Sequence, residues 1–171
     1  MKLRRSVWHR SSERGELLAL YAEVDALLEG WKCSCSEAAV GPGDHPPCCH
    51  FGVIGREPYP TAVELEEVRH AMGRAARGPQ GRGREVRLPV LDARRCPLLS
   101  REGRCAVYAS RPFGCRTFFC DSAEAPFGAA AKLPRERLRD MGRRIADLSA
   151  RFAPRDPHPR PLVRALAAGR R

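Results

Sequence analysis

Eight cysteines stand in two groups, Cys33, Cys35, Cys48 and Cys49, then Cys96, Cys105, Cys115 and Cys120, and this clustering constrains the chain more than any other feature. Disulfides do not persist in a reducing compartment, so thiols gathered there at such density serve as metal ligands or redox centres. The first thirty residues favour that setting. Lys2, Arg4, Arg5, Arg10, Glu13, Arg14, Glu16, Glu23 and Asp25 interrupt each apolar stretch before the core of an export signal can form. No apolar run approaches the length of a membrane span, so the expected location is cytoplasmic and no membrane partner is expected.

With 171 residues and 43% hydrophobic content, the chain reads as one domain over 1–171, large enough for a core of its own. Metal would then organise part of the fold. The formal charge of +11 is a weak guide, because eight thiolates on two divalent ions would lower it to about +7 and the basic excess is almost wholly arginine.

Leu17, Tyr21, Val24, Leu28 and Trp31 advance in steps of four and three behind a capping Ser12, which predicts an amphipathic helix that delivers Cys33 at its end. From Ser34 to Pro60 the prolines and glycines exclude long regular elements, leaving a loop around Cys48 and Cys49. Thr61 and Glu64 have capping-box spacing, and Val63, Leu65, Val68 and Met72 behind them predict a second helix from about Ala62 to Arg74. Val86, Leu88 and Val90 alternate as a strand does. Pro97 to Leu99 and Ala106 to Tyr108 are expected to pair as a short β-hairpin across Gly103. Leu138, Met141, Ile145, Leu148 and Phe152 predict a third helix at about 134–153, followed by a proline-punctuated tail at 154–171. The expected fold class is a small α+β domain with amphipathic helices, that hairpin and cysteine-rich metal-binding loops.

The second cysteine group lies in the runs Cys96-Pro97-Leu98-Leu99, Gly103-Arg104-Cys105-Ala106-Val107-Tyr108 and Arg111-Pro112-Phe113-Gly114-Cys115-Arg116-Thr117-Phe118. With Cys33, Cys35, Cys48 and Cys49 ahead of them, these runs resemble the YkgJ-type cysteine-cluster family, the zinc- or iron-chelating CxxCxxCC domains. The resemblance covers about residues 31–120 and implies a metal-chelating domain with zinc, iron or an iron-sulfur cluster as its cofactor. The first half departs from the family pattern: one residue separates Cys33 from Cys35, and twelve residues, Ser36 to Pro47, stand before the Cys48-Cys49 pair.

Adjacent side chains of an extended strand point to opposite faces, so Cys48 and Cys49 converge on one ion only if the backbone bends sharply; otherwise they serve two centres. Four thiolates on one ion leave excess negative charge, and Arg111 and Arg116 flank Cys115 where they could offset it from a second shell around the metal. Tyr108 is expected to pack in the core. His45 and His50 flank the cysteine pair as candidate further ligands. Both zinc and iron accept tetrathiolate sites, and neither half has ferredoxin spacing.

A binding module is the leading functional reading, since no Walker loop, dinucleotide fingerprint or nucleophile elbow is present. A metal-dependent redox or protein-modifying enzyme is the alternative. A third reading, a basic nucleic-acid-binding module, rests on Arg74, Arg77, Arg82, Arg84 and Arg87, a segment that lacks the aromatics of a single-strand platform.

Overall fold

The computed structural model describes residues 7–33, 47–75, 95–100, 104–118, 123–124 and 133–168. These residues are mostly helical: α1 (Ser12–Leu27), α2 (Phe51–Ile54), α3 (Ala62–Ala75), α4 (Phe113–Arg116), α5 (Arg135–Phe152) and α6 (Leu162–Ala168). Short 3-10 turns occupy Pro47–Cys49 and Tyr108–Ser110.

The α+β expectation is corrected by this arrangement. Extended pairing among the described residues is limited to a two-residue antiparallel contact of β1 (Lys32–Cys33) with β2 (Ala123–Glu124) and two single bridges. The expected hairpin reduces to one of those bridges, Leu99 to Cys105, closed by Ala106 N–H to Leu98 O at 2.8 Å and Ser100 N–H to Arg104 O at 2.8 Å. Pro97 has no N–H to extend the ladder, and from Tyr108 the chain coils into a 3-10 turn. Short apolar runs such as Pro97–Leu99 carry too few residues to separate a strand from a packed loop. The strand expected at Val86–Val90 lies outside the described residues.

Helix ends follow local chemistry. Ser11, one residue before the expected cap, accepts the Arg14 N–H on its hydroxyl at 3.1 Å. At the start of α3, Thr61 donates its N–H (2.8 Å) and its hydroxyl (2.9 Å) to Glu64 Oε2. The next orphan donor, Ala62 N–H, reaches the hydroxyl of buried Ser149 at 3.1 Å, and Ser149 in turn donates to Pro157 O at 3.0 Å.

Helices α1 and α5 run antiparallel, as their crosslinks show: Arg151 pairs with Glu16 and, two turns back, Arg144 pairs with Glu23. Between them Leu17, Leu20 and Tyr21 meet Ile145, Leu148 and the Val63 of α3, while Val24 and Leu28 meet Leu138 and Met141. The opposite side of α3 carries a second apolar layer, in which Leu65, Val68 and Ala71 pack with Phe51, Cys96, Leu98, Leu99, Val107 and residues of α6. Helix α3 is therefore a shared wall, with a helical core on one side and the cysteine-bearing loops on the other. Residues 160–168 close that second layer, through Arg160 N–H to Pro60 O (3.1 Å), Leu162 N–H to Pro58 O (3.1 Å) and Arg69 to Ala165 O (3.1 Å).

Apolar burial outweighs surface charge in this core, and the two can be compared directly. Leu148→Ala, at a fully buried position, is expected to lower unfolding free energy by about 2–5 kcal/mol in urea titration. Arg144→Ala, which removes an exposed pair, is expected to leave the unfolding free energy nearly unchanged. Equal losses from the two variants would contradict this packing.

Candidate functional site

Five cysteines fall among the described side chains, Cys48, Cys49, Cys96, Cys105 and Cys115, and all are free thiols. They arrive on four separate segments. The 3-10 turn at Pro47–Cys49 supplies the sharp bend that two adjacent cysteines need in order to face one another. Cys96 lies in the buried layer against α3, Cys105 follows the single bridge at Leu99, and Cys115 sits inside α4.

Cys49 is the centre of the group. Its thiol is hydrogen-bonded to both Cys48 and Cys96, and Cys105 and Cys115 lie close enough to interact with it electrostatically. The hydrogen bond from Cys48 lowers the Cys49 pKa, but the bond to Cys96, burial and the neighbouring Cys96 and Cys105 together push it up to about 12. Cys48 is raised by the hydrogen bond to Cys49 first and by burial next. Burial pushes Cys115 up to about 12, with Cys49, Cys105 and Glu64 adding to it and Arg111 opposing. Cys105 is raised chiefly by burial, against the Val107 N–H and the Arg111 charge. Burial and most of the neighbouring thiols thus disfavour ionisation of Cys48, Cys49, Cys105 and Cys115, a condition that a bound cation would reverse.

Two buried glutamates of α3 hold this neighbourhood in place. Glu64, 3% exposed, accepts from Tyr21 Oη (3.2 Å) on α1 and from Phe113 N–H (2.7 Å) at the start of α4. Glu67, fully buried, accepts from Trp8 Nε1 (3.0 Å), from Arg14 Nε (2.7 Å) and a second Arg14 nitrogen (3.2 Å), and from Ser110 Oγ (2.9 Å). Ser110 and Phe113 lie between Cys105 and Cys115, so the two carboxylates clamp that stretch to the helical core. Thr61 and Glu64 were visible in the sequence only as a cap. Glu67 went unnoticed, although its i+3 spacing from Glu64, on the arc beside Val63, marks a carboxylate facing inward.

The flanking arginines divide. Arg116, buried, directs its guanidinium to Asp25 Oδ2, Ala109 O and Arg111 O (2.9 Å) and lies over the Tyr21 ring at 4.1 Å, so it ties the loop to α1. Arg111 lies over the Tyr108 ring at 3.9 Å, and its charge lowers the pKa of Cys105 and Cys115. Tyr108 is 64% exposed, which corrects its expected core position: the ring packs under the Arg111 guanidinium instead. His50 is half-buried, and its backbone forms an antiparallel bridge with Arg95. Cys35, Cys120, His45, Arg77, Arg82, Arg84 and Arg87 lie outside the described residues, as does the side chain of Cys33.

Among the described residues, no three or more His, Cys, Asp or Glu side chains stand together in a way that could hold a metal ion. The donor chemistry nonetheless suits a thiophilic ion, since the gathered groups are all free sulfur. A groove of about 580 Å³ beside α3 is lined by Glu66, Arg69, Asp156, His158 and Arg160 among others, contains no cysteine, and has Arg69 and Arg160 already paired with Glu66 and Asp156. Among the described residues, no helix is long and apolar enough to cross a membrane. Comparison with family models, curated proteins and solved structures finds no match for this chain.

Burial opposes ionisation of Glu67, but hydrogen bonds from Arg14, Ser110 and Trp8 and the Arg14 charge outweigh it and hold its pKa below the usual carboxylate value. A depressed folded-state pKa stabilises above the unfolded value of about 4.3 and loses that contribution as pH falls through the folded one. Glu67→Gln should therefore cost about 3 kcal/mol at pH 7, where it leaves Arg14 uncompensated, and progressively less below about pH 4.3. Chemical denaturation of both proteins from pH 7 to pH 3 checks this; a constant difference would contradict it.

Proposed function

We propose that this chain is a cysteine-cluster protein of the YkgJ type that binds zinc or iron through thiolates, with Cys48, Cys49, Cys96, Cys105 and Cys115 as its described ligand pool. Cys33, Cys35 and Cys120 complete the pool in this reading, with His45 and His50 as further candidates. One observation supports it above the others: segments distant in sequence carry Cys96, Cys105 and Cys115 to within electrostatic reach of Cys49, although among the described residues they do not stand as a ready-made metal-holding group. Scattered small hydrophobes have no reason to meet in this way, whereas ligands of a common ion do.

On this reading the cysteines would hold the ion as thiolates, and its positive charge would offset the burial and mutual repulsion that favour their protonated form. Arg111 tempers the remaining negative charge beside Cys105 and Cys115. More than four sulfurs are available, enough for one tetrathiolate ion with spare ligands or for a cluster of metals. Zinc would serve to lock the loops onto α3, and an iron-sulfur centre would add electron transfer. The proposed setting is the cytoplasm, where the thiols stay reduced.

Protein purified without air, then assayed for transition metals and scanned through the visible range, tests the proposal. Stoichiometric zinc in a colourless sample or iron in a coloured one is expected, with the metal lost in Cys49→Ser. A folded, metal-free protein that takes up neither zinc nor ferrous iron on addition would overturn it.

A further inference from the structure

The backbone places two of the thiols in a relation that metal binding does not require. Cys96 N–H donates to Cys49 O at 2.8 Å, beside the antiparallel bridge between His50 and Arg95. That register sets Cys49 directly across from Cys96, and their side chains are hydrogen-bonded to each other. Opposed residues at a hydrogen-bonded antiparallel position have Cα atoms about 5.5 Å apart. A disulfide spans about 4.4–6.8 Å between Cα atoms, so the pair can be bridged without moving the backbone. Cys48 and Cys49 cannot be bridged as easily, since adjacent Cα atoms are only about 3.8 Å apart across a trans peptide.

We infer that Cys49 and Cys96 form a dithiol–disulfide couple that exchanges with small disulfides of the glutathione class. The roles follow from exposure. Cys96 is 7% exposed inside the layer against α3, while Cys49 is only partly buried and can meet a reagent. The step runs through the small ionised fraction of Cys49: its thiolate attacks one sulfur of oxidised glutathione, the S–S bond breaks, and one glutathione leaves with a proton from solvent. Cys96, as its thiolate, then attacks the Cys49 sulfur of the mixed disulfide, and the second glutathione leaves and takes up a proton. Two electrons pass from the pair to the oxidant, and two protein thiol protons are released to match those gained. No cation enters the step, which needs Cys49 and Cys96 free of any ion. Oxidation would also remove the central sulfur from any ligand set.

The test is a glutathione redox titration of the reduced full chain with chelator present, followed by alkylation and tryptic mapping. The expected product joins the peptide of residues 96–101 to that of residues 33–56, with fragmentation between Cys48 and Cys49 locating the link on Cys49. Cys96→Ser should instead trap glutathione on Cys49, and Cys48→Ser should leave the link intact. A link from Cys49 to another cysteine, a link to Cys48, or Cys49 and Cys96 both still alkylatable under fully oxidising buffer would each overturn the inference. Metal uptake by the reduced protein is measured separately, so failure of the couple and failure of the metal reading give different results.

Discussion

Two buried carboxylates on successive turns of α3 tether the segment between Cys105 and Cys115 to the helical core. Buried charge is destabilising unless each lone pair finds a donor, and here both glutamates are supplied from two directions at once. Tyr21 of α1, with Trp8 and Arg14, donates from the side of the helical core, while Ser110 and Phe113 donate from the segment between Cys105 and Cys115. The helical core and the cysteine loops therefore share one polar network. Without it, that short loop would keep the apolar packing of Val107 and its neighbours and the pairing of Arg111 and Arg116 with Asp25.

Shared use of α3 explains the division of labour in the molecule. One of its faces completes an interface between antiparallel α1 and α5, built from ordinary aliphatic contacts. The other supports irregular chain that has few backbone ladders of its own and carries the chemistry. Loops held on a rigid element in this way can present reactive side chains at defined positions. Gly114 shows how close the approach is, since a Cβ there would lie 3.6 Å from Pro58. Chemistry at the thiols and stability of the core are consequently linked through residues that touch neither an ion nor an oxidant.

The helices were legible in sequence because apolar residues recur along them at helical spacing: the expected spans at about 62–74 and 134–153 compare with Ala62–Ala75 and Arg135–Phe152. The hairpin was misread because Pro97 to Leu99 and Ala106 to Tyr108 are short apolar runs, too short for period to separate a strand from a packed loop, and from Tyr108 the chain coils into a 3-10 turn. Burial of Glu64, Glu67 and Arg116 could not be read from composition, because a charged residue is placed inside only when distant partners satisfy it. The convergence around Cys49 was similarly hidden. It depends on a 3-10 turn at Pro47–Cys49 and on an antiparallel register between segments far apart in the chain. The Arg116 side chain illustrates the limit of proximity in sequence: it adjoins Cys115, yet its hydrogen bonds run to Asp25, Ala109 and Arg111.

The central claim concerns what surrounds a bound ion, and X-ray absorption at the metal edge of the loaded full chain reads that directly. The account predicts a first shell dominated by sulfur, at about 2.3 Å for zinc, that loses sulfur in Cys49→Ser. A shell of oxygen and nitrogen, indifferent to replacement of Cys49, would contradict it.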